Sequence, residues 1–148
     1  MNKLYYLIAT GLGTGFSPIA PGTVGSFLAL IIVYLISPLS QVLLVIVLFI
    51  FFWIGVFTSE KVENEHGEDP SIVVIDEIVG MGISLLFLAK DLRLFFIAFV
   101  LFRFFDIWKP FPIHRSQNIH GGLGIMLDDV IAGIYALIVV HIVCWILF

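Results

Sequence analysis

QVLLVIVLFIFFWIGVF (residues 41–57) contains neither a charged residue nor a proline, and it runs directly into TSEKVENEHGEDPS (58–71), which is dense in charge. At about 1.5 Å per helical residue the first stretch extends about 25 Å, close to the hydrocarbon thickness of a bilayer. An abrupt change from wholly apolar to strongly charged sequence is what a lipid–water boundary imposes on a helix, because unpaired charge is expensive on the hydrocarbon side. The fold class expected from this stretch is an all-α membrane protein.

The rest of the chain agrees. Of 148 residues, 61% are hydrophobic and 12% charged, and the mean hydropathy is +1.16; an average soluble domain has roughly 45–50% apolar and about 25% charged residues. Fifteen Phe and three Trp suit a lipid-facing surface with interfacial anchors. The length suggests one domain, residues 1–148. The net charge of −4 argues against a nucleic-acid partner, and nothing in the sequence calls for an obligate protein partner. MNKLYYLIATGLGTG (1–15) has one Lys and no small-residue cleavage site, so it is expected to belong to the mature protein rather than to a signal peptide. The lone Cys144 excludes an internal disulfide.

Five apolar segments stand out: Gly25–Ser37, Gln41–Phe57, Ile72–Ala89, Leu94–Trp108 and Ile131–Phe148. They predict a multi-pass bundle of about four to five apolar helices, some short for a hydrocarbon core of about 30 Å. The turn Ser37-Pro38-Leu39-Ser40 makes the first two a hairpin, and Lys90-Asp91-Leu92-Arg93 makes another tight connection. If the segments alternate across the bilayer, loops 10–24, 59–71 and 109–127 share one face. Every acidic residue except Asp91 then falls on that face, with Lys3, Lys61, Arg103, Lys109 and Arg115 against Lys90 and Arg93 opposite. The cation bias makes the acidic face cytoplasmic.

This zigzag brings distant polar groups to one depth. In FRFFDIWKP (102–110), Arg103, Asp106 and Lys109 recur every third residue, which holds them within about one third of a helix circumference. Asp106 there can ligate a metal while Arg103 and Lys109 grip phosphate oxygens, or the three can form a surface ion-pair row. Asp76-Glu77 and Asp128-Asp129 are adjacent pairs whose members diverge by about 100° on a helix, so one member of each pair at most is expected to face a common centre squarely. A helix N-terminus explains one acid in each pair; four suggest a cation, and Mg²⁺ takes oxygen ligands in a six-coordinate shell. The segment GLGTGFSPIAPGTVGS (11–26) offers backbone amides at a helix start near Gly25, with Gly22, Thr23 and Ser26 as candidate phosphate contacts, or else a close-packed loop. It lacks the Lys-Ser/Thr ending of a P-loop. His66, His114, His120 and His141 form no cluster that suggests zinc. An ion transporter would place its acids near the midplane, and a structural membrane protein leaves the Gly-rich loops beside the acids unexplained.

Taken in order, PGTVGS (21–26), IVVIDEIVGM (72–81), FRFFDIWKPFPI (102–113) and HGGLGIMLDDVIAG (120–133) resemble the phosphatidylglycerophosphatase A family from about residue 10 to 136. The resemblance implies Mg²⁺-dependent hydrolysis of phosphatidylglycerophosphate to phosphatidylglycerol and phosphate, at the cytoplasmic face of a bacterial inner membrane. The matching positions are Pro21, Gly22, Thr23, Gly25, Ser26, Asp76, Glu77, Gly80, Arg103, Asp106, Lys109, Pro110, Gly121, Gly122, Gly124, Asp128 and Asp129; residues 62–71 match less well. Metal ligation is expected from Asp76, Glu77, Asp106, Asp128 and Asp129. Catalysis is expected from Asp76, Asp106, Asp128 and Asp129, one of them orienting water or attacking phosphorus itself.

Overall fold

The computed structural model describes residues 3–37, 40–116 and 118–147, so Pro38 and Leu39 of the expected first hairpin turn, and Phe148 at the end of the fifth apolar segment, lie outside the described residues. Among those described there are seven α-helices, one 3₁₀ turn and no strand. The helices are α1 (Lys3–Ala9), α2 (Pro21–Ile36), α3 (Gln41–His66), α4 (Ile75–Ser84), α5 (Leu92–Trp108), α6 (Ile113–Ser116) and α7 (Gly122–Leu147), with the 3₁₀ turn at Thr14–Phe16.

Two helices, α3 and α7, are long and apolar enough to cross a membrane, at 26 residues each; α2 is a shorter apolar helix. The expected five segments are therefore redrawn in four places. Residues 59–66 belong to α3 rather than to a loop, because the Glu and Lys residues of EKVE sustain a helix once an apolar run has nucleated it. The Ile72–Ala89 segment yields a helix of 10 residues, about 15 Å long and too short to span; Gly80 and Gly82 lower its helical propensity, and the chain turns away through Leu85–Phe87. The expected loop 109–127 holds α6 and the first turns of α7. The expected loop 10–24 contains a 3₁₀ turn and the start of α2 at Pro21 rather than near Gly25, proline being preorganised for a first helical position.

α4 is the enclosed element, packed against α2, α3, α5 and α7. Its crossing with α7 is made by glycines: a Cβ on Gly133 would collide with the Gly80 carbonyl, and one on Gly80 would lie 2.5 Å from the Asp129 carbonyl. Small residues at such a crossing let two backbones touch, which is how helices associate where burial of apolar surface gives little drive. The two apolar cores flank this crossing, one around Phe95, Phe102 and Met81, the other around Val62, Ile75 and Met126. Outward, α3 shows Val42, Ile46, Phe49, Trp53 and Phe57, and α7 shows Ile138, Ile142 and Trp145, all exposed. A continuous exposed apolar surface of this kind is matched to lipid rather than water.

Both ends are tied by specific contacts. At one, the Phe87 amide donates to Gln41 Oε1 at 2.9 Å, and Asp91 caps α5 by accepting from the Arg93 amide at 2.8 Å. At the other, the Tyr6 hydroxyl donates to Glu65 Oε2 at 2.9 Å and Tyr5 donates to the other oxygen, strapping α1 to the end of α3. The bond to Glu65 pushes the Tyr5 hydroxyl up to about 12.

Candidate active site

Four helix ends, those of α2, α4, α5 and α7, converge at this second end of the molecule. The first turn of α4 carries Asp76 and Glu77, where the N-terminal dipole favours anions. The last two turns of α5 carry Arg103 and then Asp106, and Lys109 follows at its C-cap in a left-handed conformation with φ 48°; Pro110 prevents the helix from continuing. Asp128 and Asp129 lie in the second turn of α7. The start of α2 closes against them: a Cβ on Gly22 would collide with the Glu77 carboxylate, so a side chain there would push Glu77 out of its present position.

Arg103 is the organiser. Its Nη1 lies 2.5 Å from Asp106 Oδ2, 4.0 Å from Glu77 Oε1 and 3.5 Å from the Ser26 hydroxyl. Ser26 in turn donates to the Gly22 carbonyl at 2.7 Å, so its hydroxyl braces Arg103 against α2. Lys109 Nζ donates to Asp128 Oδ2 at 2.7 Å, and the Asp129 amide donates to Asp128 Oδ1 at 3.0 Å. Tyr135 holds the chain after Lys109 by donating to the Phe111 carbonyl at 2.8 Å.

The acids do not all find partners. Asp76 Oδ1, Glu77 Oε2 and Asp129 Oδ2 are buried without a hydrogen bond, as is Arg103 Nε. Orphaned buried carboxylate oxygens are rare, and an unplaced ion is one of their standard explanations. The oxygens available from Asp76, Asp128 and Asp129 lie within 4.8 Å of one another, and so do those from Glu77, Asp106 and Asp129. An all-carboxylate donor set with no imidazole or thiolate suits a hard cation such as Mg²⁺, Mn²⁺ or Ca²⁺ and disfavours zinc. The residues present therefore fit a divalent metal.

All five expected carboxylates, together with Arg103, Lys109, Gly22 and Ser26, are brought together. Thr23, half-buried beside Gly22, makes no hydrogen bond to the acids among the described residues. The divergence expected of adjacent acids does not exclude either member of a pair, since all four lie among the clustered oxygens. Sequence reasoning missed the rim. A cleft of about 290 Å³ reaches Asp128 past Glu63, Glu68, Asp69 and the exposed His120, and Glu63 takes its place there because α3 continues to His66. It also missed Ser59, whose buried hydroxyl has no partner. Gly55 and Ser59 share a face of α3 at helical spacing, and Gly55 abuts Met126 and Ile75. His141 lies within 2.8 Å of the Leu137 carbonyl, one turn back in its own helix.

The family model described as Phosphatidylglycerophosphatase A matches residues 7–144. Among curated proteins, a Bacteroides thetaiotaomicron protein provisionally named phosphatidylinositol-3-phosphatase is 44% identical, covering 95% of this chain and 94% of its own. The phosphatidylglycerophosphatase A of Escherichia coli K12 is 40% identical over 90% of this chain and 80% of its own. That of Haemophilus influenzae is 41% identical over 91% and 85%. No solved structure matches the chain. A family match of this extent, over the helices that assemble the acids, shows that the chain belongs to the phosphatidylglycerophosphatase A family and is a phosphoric monoester hydrolase.

Proposed function

We propose that the protein is a Mg²⁺-dependent lipid phosphatase that hydrolyses phosphatidylglycerophosphate to phosphatidylglycerol and phosphate, from the cytoplasmic face of a bacterial inner membrane. The observation that carries this reading is the convergence of Asp76, Glu77, Asp106, Asp128 and Asp129 around Arg103 and Lys109 at one end of an apolar bundle. In this reading the chain is a single multi-pass domain in which α2 and α5 cross with α3 and α7 and α4 is held within the bundle. The diacyl tail stays at the exposed apolar surface while the headgroup meets the helix ends.

The five carboxylates would hold the cation, which when bound supplies Lewis-acid polarisation of the phosphoryl oxygens. Arg103 and Lys109 neutralise the remaining phosphate charge, Arg103 with a guanidinium already aligned by Asp106 and Ser26. Asp128 lines the cleft by which headgroup and water arrive, and we place it against the attacking water, its orientation fixed by Lys109. Gly22 and the first amides of α2 offer donors to a phosphate oxygen at a helix N-terminus.

The relative named for phosphatidylinositol 3-phosphate makes that lipid the second substrate to test. Purified protein in mixed micelles is expected to release phosphate from phosphatidylglycerophosphate with Mg²⁺ present, faster than from phosphatidylinositol 3-phosphate and far faster than from soluble glycerol 3-phosphate. EDTA, Asp106→Asn and Asp129→Asn are each expected to lower the rate at least about 100-fold, the loss typical when transition-state charge stabilisation goes. Release that persists in EDTA, or full activity in both variants, would overturn the assignment.

A further inference from the structure

We infer that the five carboxylates form two cation positions sharing Asp129, rather than one. The inference rests on the metal-dependent reading of the site and specifies how many ions that site takes. The oxygens fall into two groups: Asp76, Asp128 and Asp129 in the first, Glu77, Asp106 and Asp129 in the second, each within 4.8 Å internally. The pair on α4 splits between the groups, while Asp128 and Asp129 on α7 share the first and only Asp129 reaches the second. Asp76 and Glu77 diverge by about 100° on α4, and each belongs to a different group.

The unpartnered oxygens follow the same division. Lys109 already answers Asp128, and Arg103 answers Asp106. What remains is one orphan private to the first group, Asp76 Oδ1, one private to the second, Glu77 Oε2, and one on the shared residue, Asp129 Oδ2. Asp76 is 8% exposed and Asp129 2%, the Glu77 side chain is 15% exposed, and the three orphan oxygens are themselves buried. A single cation in either group leaves the other group's private oxygen buried and unsatisfied, whereas two cations satisfy all three. Charge points the same way: with all five carboxylates ionised by metal binding against two cationic side chains, two divalent ions would give a net positive site suited to a phosphate dianion. Asp129 would then contribute to both ions, which together would supply the charge stabilisation that two-metal phosphoryl-transfer sites give to attacking and leaving oxygens.

Mn²⁺ is the probe, read by equilibrium binding and by electron paramagnetic resonance on the full-length protein in detergent. Two ions per chain with an exchange-coupled signal are expected. Asp76→Asn and Glu77→Gln are each expected to leave one ion and an uncoupled signal, and Asp129→Asn to abolish the coupling. Helicity by circular dichroism identifies any variant that fails to fold, and the wild-type stoichiometry decides the question independently of the variants. One ion per chain at saturation, or two without coupling, overturns the inference. Phosphate release by a one-ion protein would refute the second position and keep the phosphatase; a coupled pair in a protein inactive on every lipid tested would do the reverse.

Discussion

Arg103 concentrates three jobs in one guanidinium: it pairs with Asp106, reaches Glu77 and rests on Ser26. Lysine carries the same charge but a single ammonium point, without the planar fork that serves several acceptors at once. Arg103→Lys is therefore expected to lower kcat/KM for the lipid substrate about 10- to 100-fold while leaving the fold intact, as steady-state kinetics and a melting curve together would show. An unchanged kcat/KM would mean that charge alone is required at this position. At this scale the sequence was informative, because the spacing of Arg103, Asp106 and Lys109 already put them on one side of a helix. It said nothing of Ser26 as a brace, since the contact spans 77 positions and depends on the crossing of α2 and α5.

Between elements, the close approach of α4 and α7 decides whether the acids meet. The Gly80 carbonyl occupies the space a Gly133 side chain would need, and Gly133 lies one turn beyond Asp129. Gly133→Ala is expected to destabilise the protein by about 1–3 kcal/mol, the usual range for overpacking a close contact, and to weaken Mn²⁺ binding although no ligand is altered. Thermal unfolding and metal titration of the same variant would check both halves. The cap of α5 gives a pH signature. The Arg93 side chain, hydrogen-bonded to Asp91, lowers that carboxyl from 3.8 to about 2. A depressed carboxyl stabilises the fold above its ordinary value and loses that contribution as pH falls through its folded value. Asp91→Asn is therefore expected to lower Tm at pH 6, by an amount that shrinks below pH 4 and vanishes near pH 2. Helix boundaries were the least readable feature of the sequence. EKVENEH looks like a loop by charge and is a helix by propensity, and nothing in IVVIDEIVGMGISLLFLA marks where a ten-residue helix stops, because its end is set by packing against α3 and α7.

The molecule as a whole could be read in outline. Alternation of segments put Asp76, Asp106 and Asp128 at one end, as the structure has them, and the four ordered motifs identified the family; of the five apolar segments, two yield helices long enough to cross a membrane, because apolar composition does not distinguish a helix facing lipid from one enclosed by its neighbours, as α4 is. At 26 residues, α3 is about 39 Å long, against about 30 Å of hydrocarbon, and α1 is fastened to its projecting end through Tyr5 and Tyr6. In the multi-pass reading, α3 projects beyond the hydrocarbon at the end where the acids cluster, although the five carboxylates themselves stand on α4, α5 and α7. On that reading, phosphate release in vesicles is expected to pass through a maximum as lipid acyl-chain length is varied, because a mismatch between helix and bilayer displaces the carboxylates from the headgroup plane; a rate independent of chain length would count against the multi-pass reading.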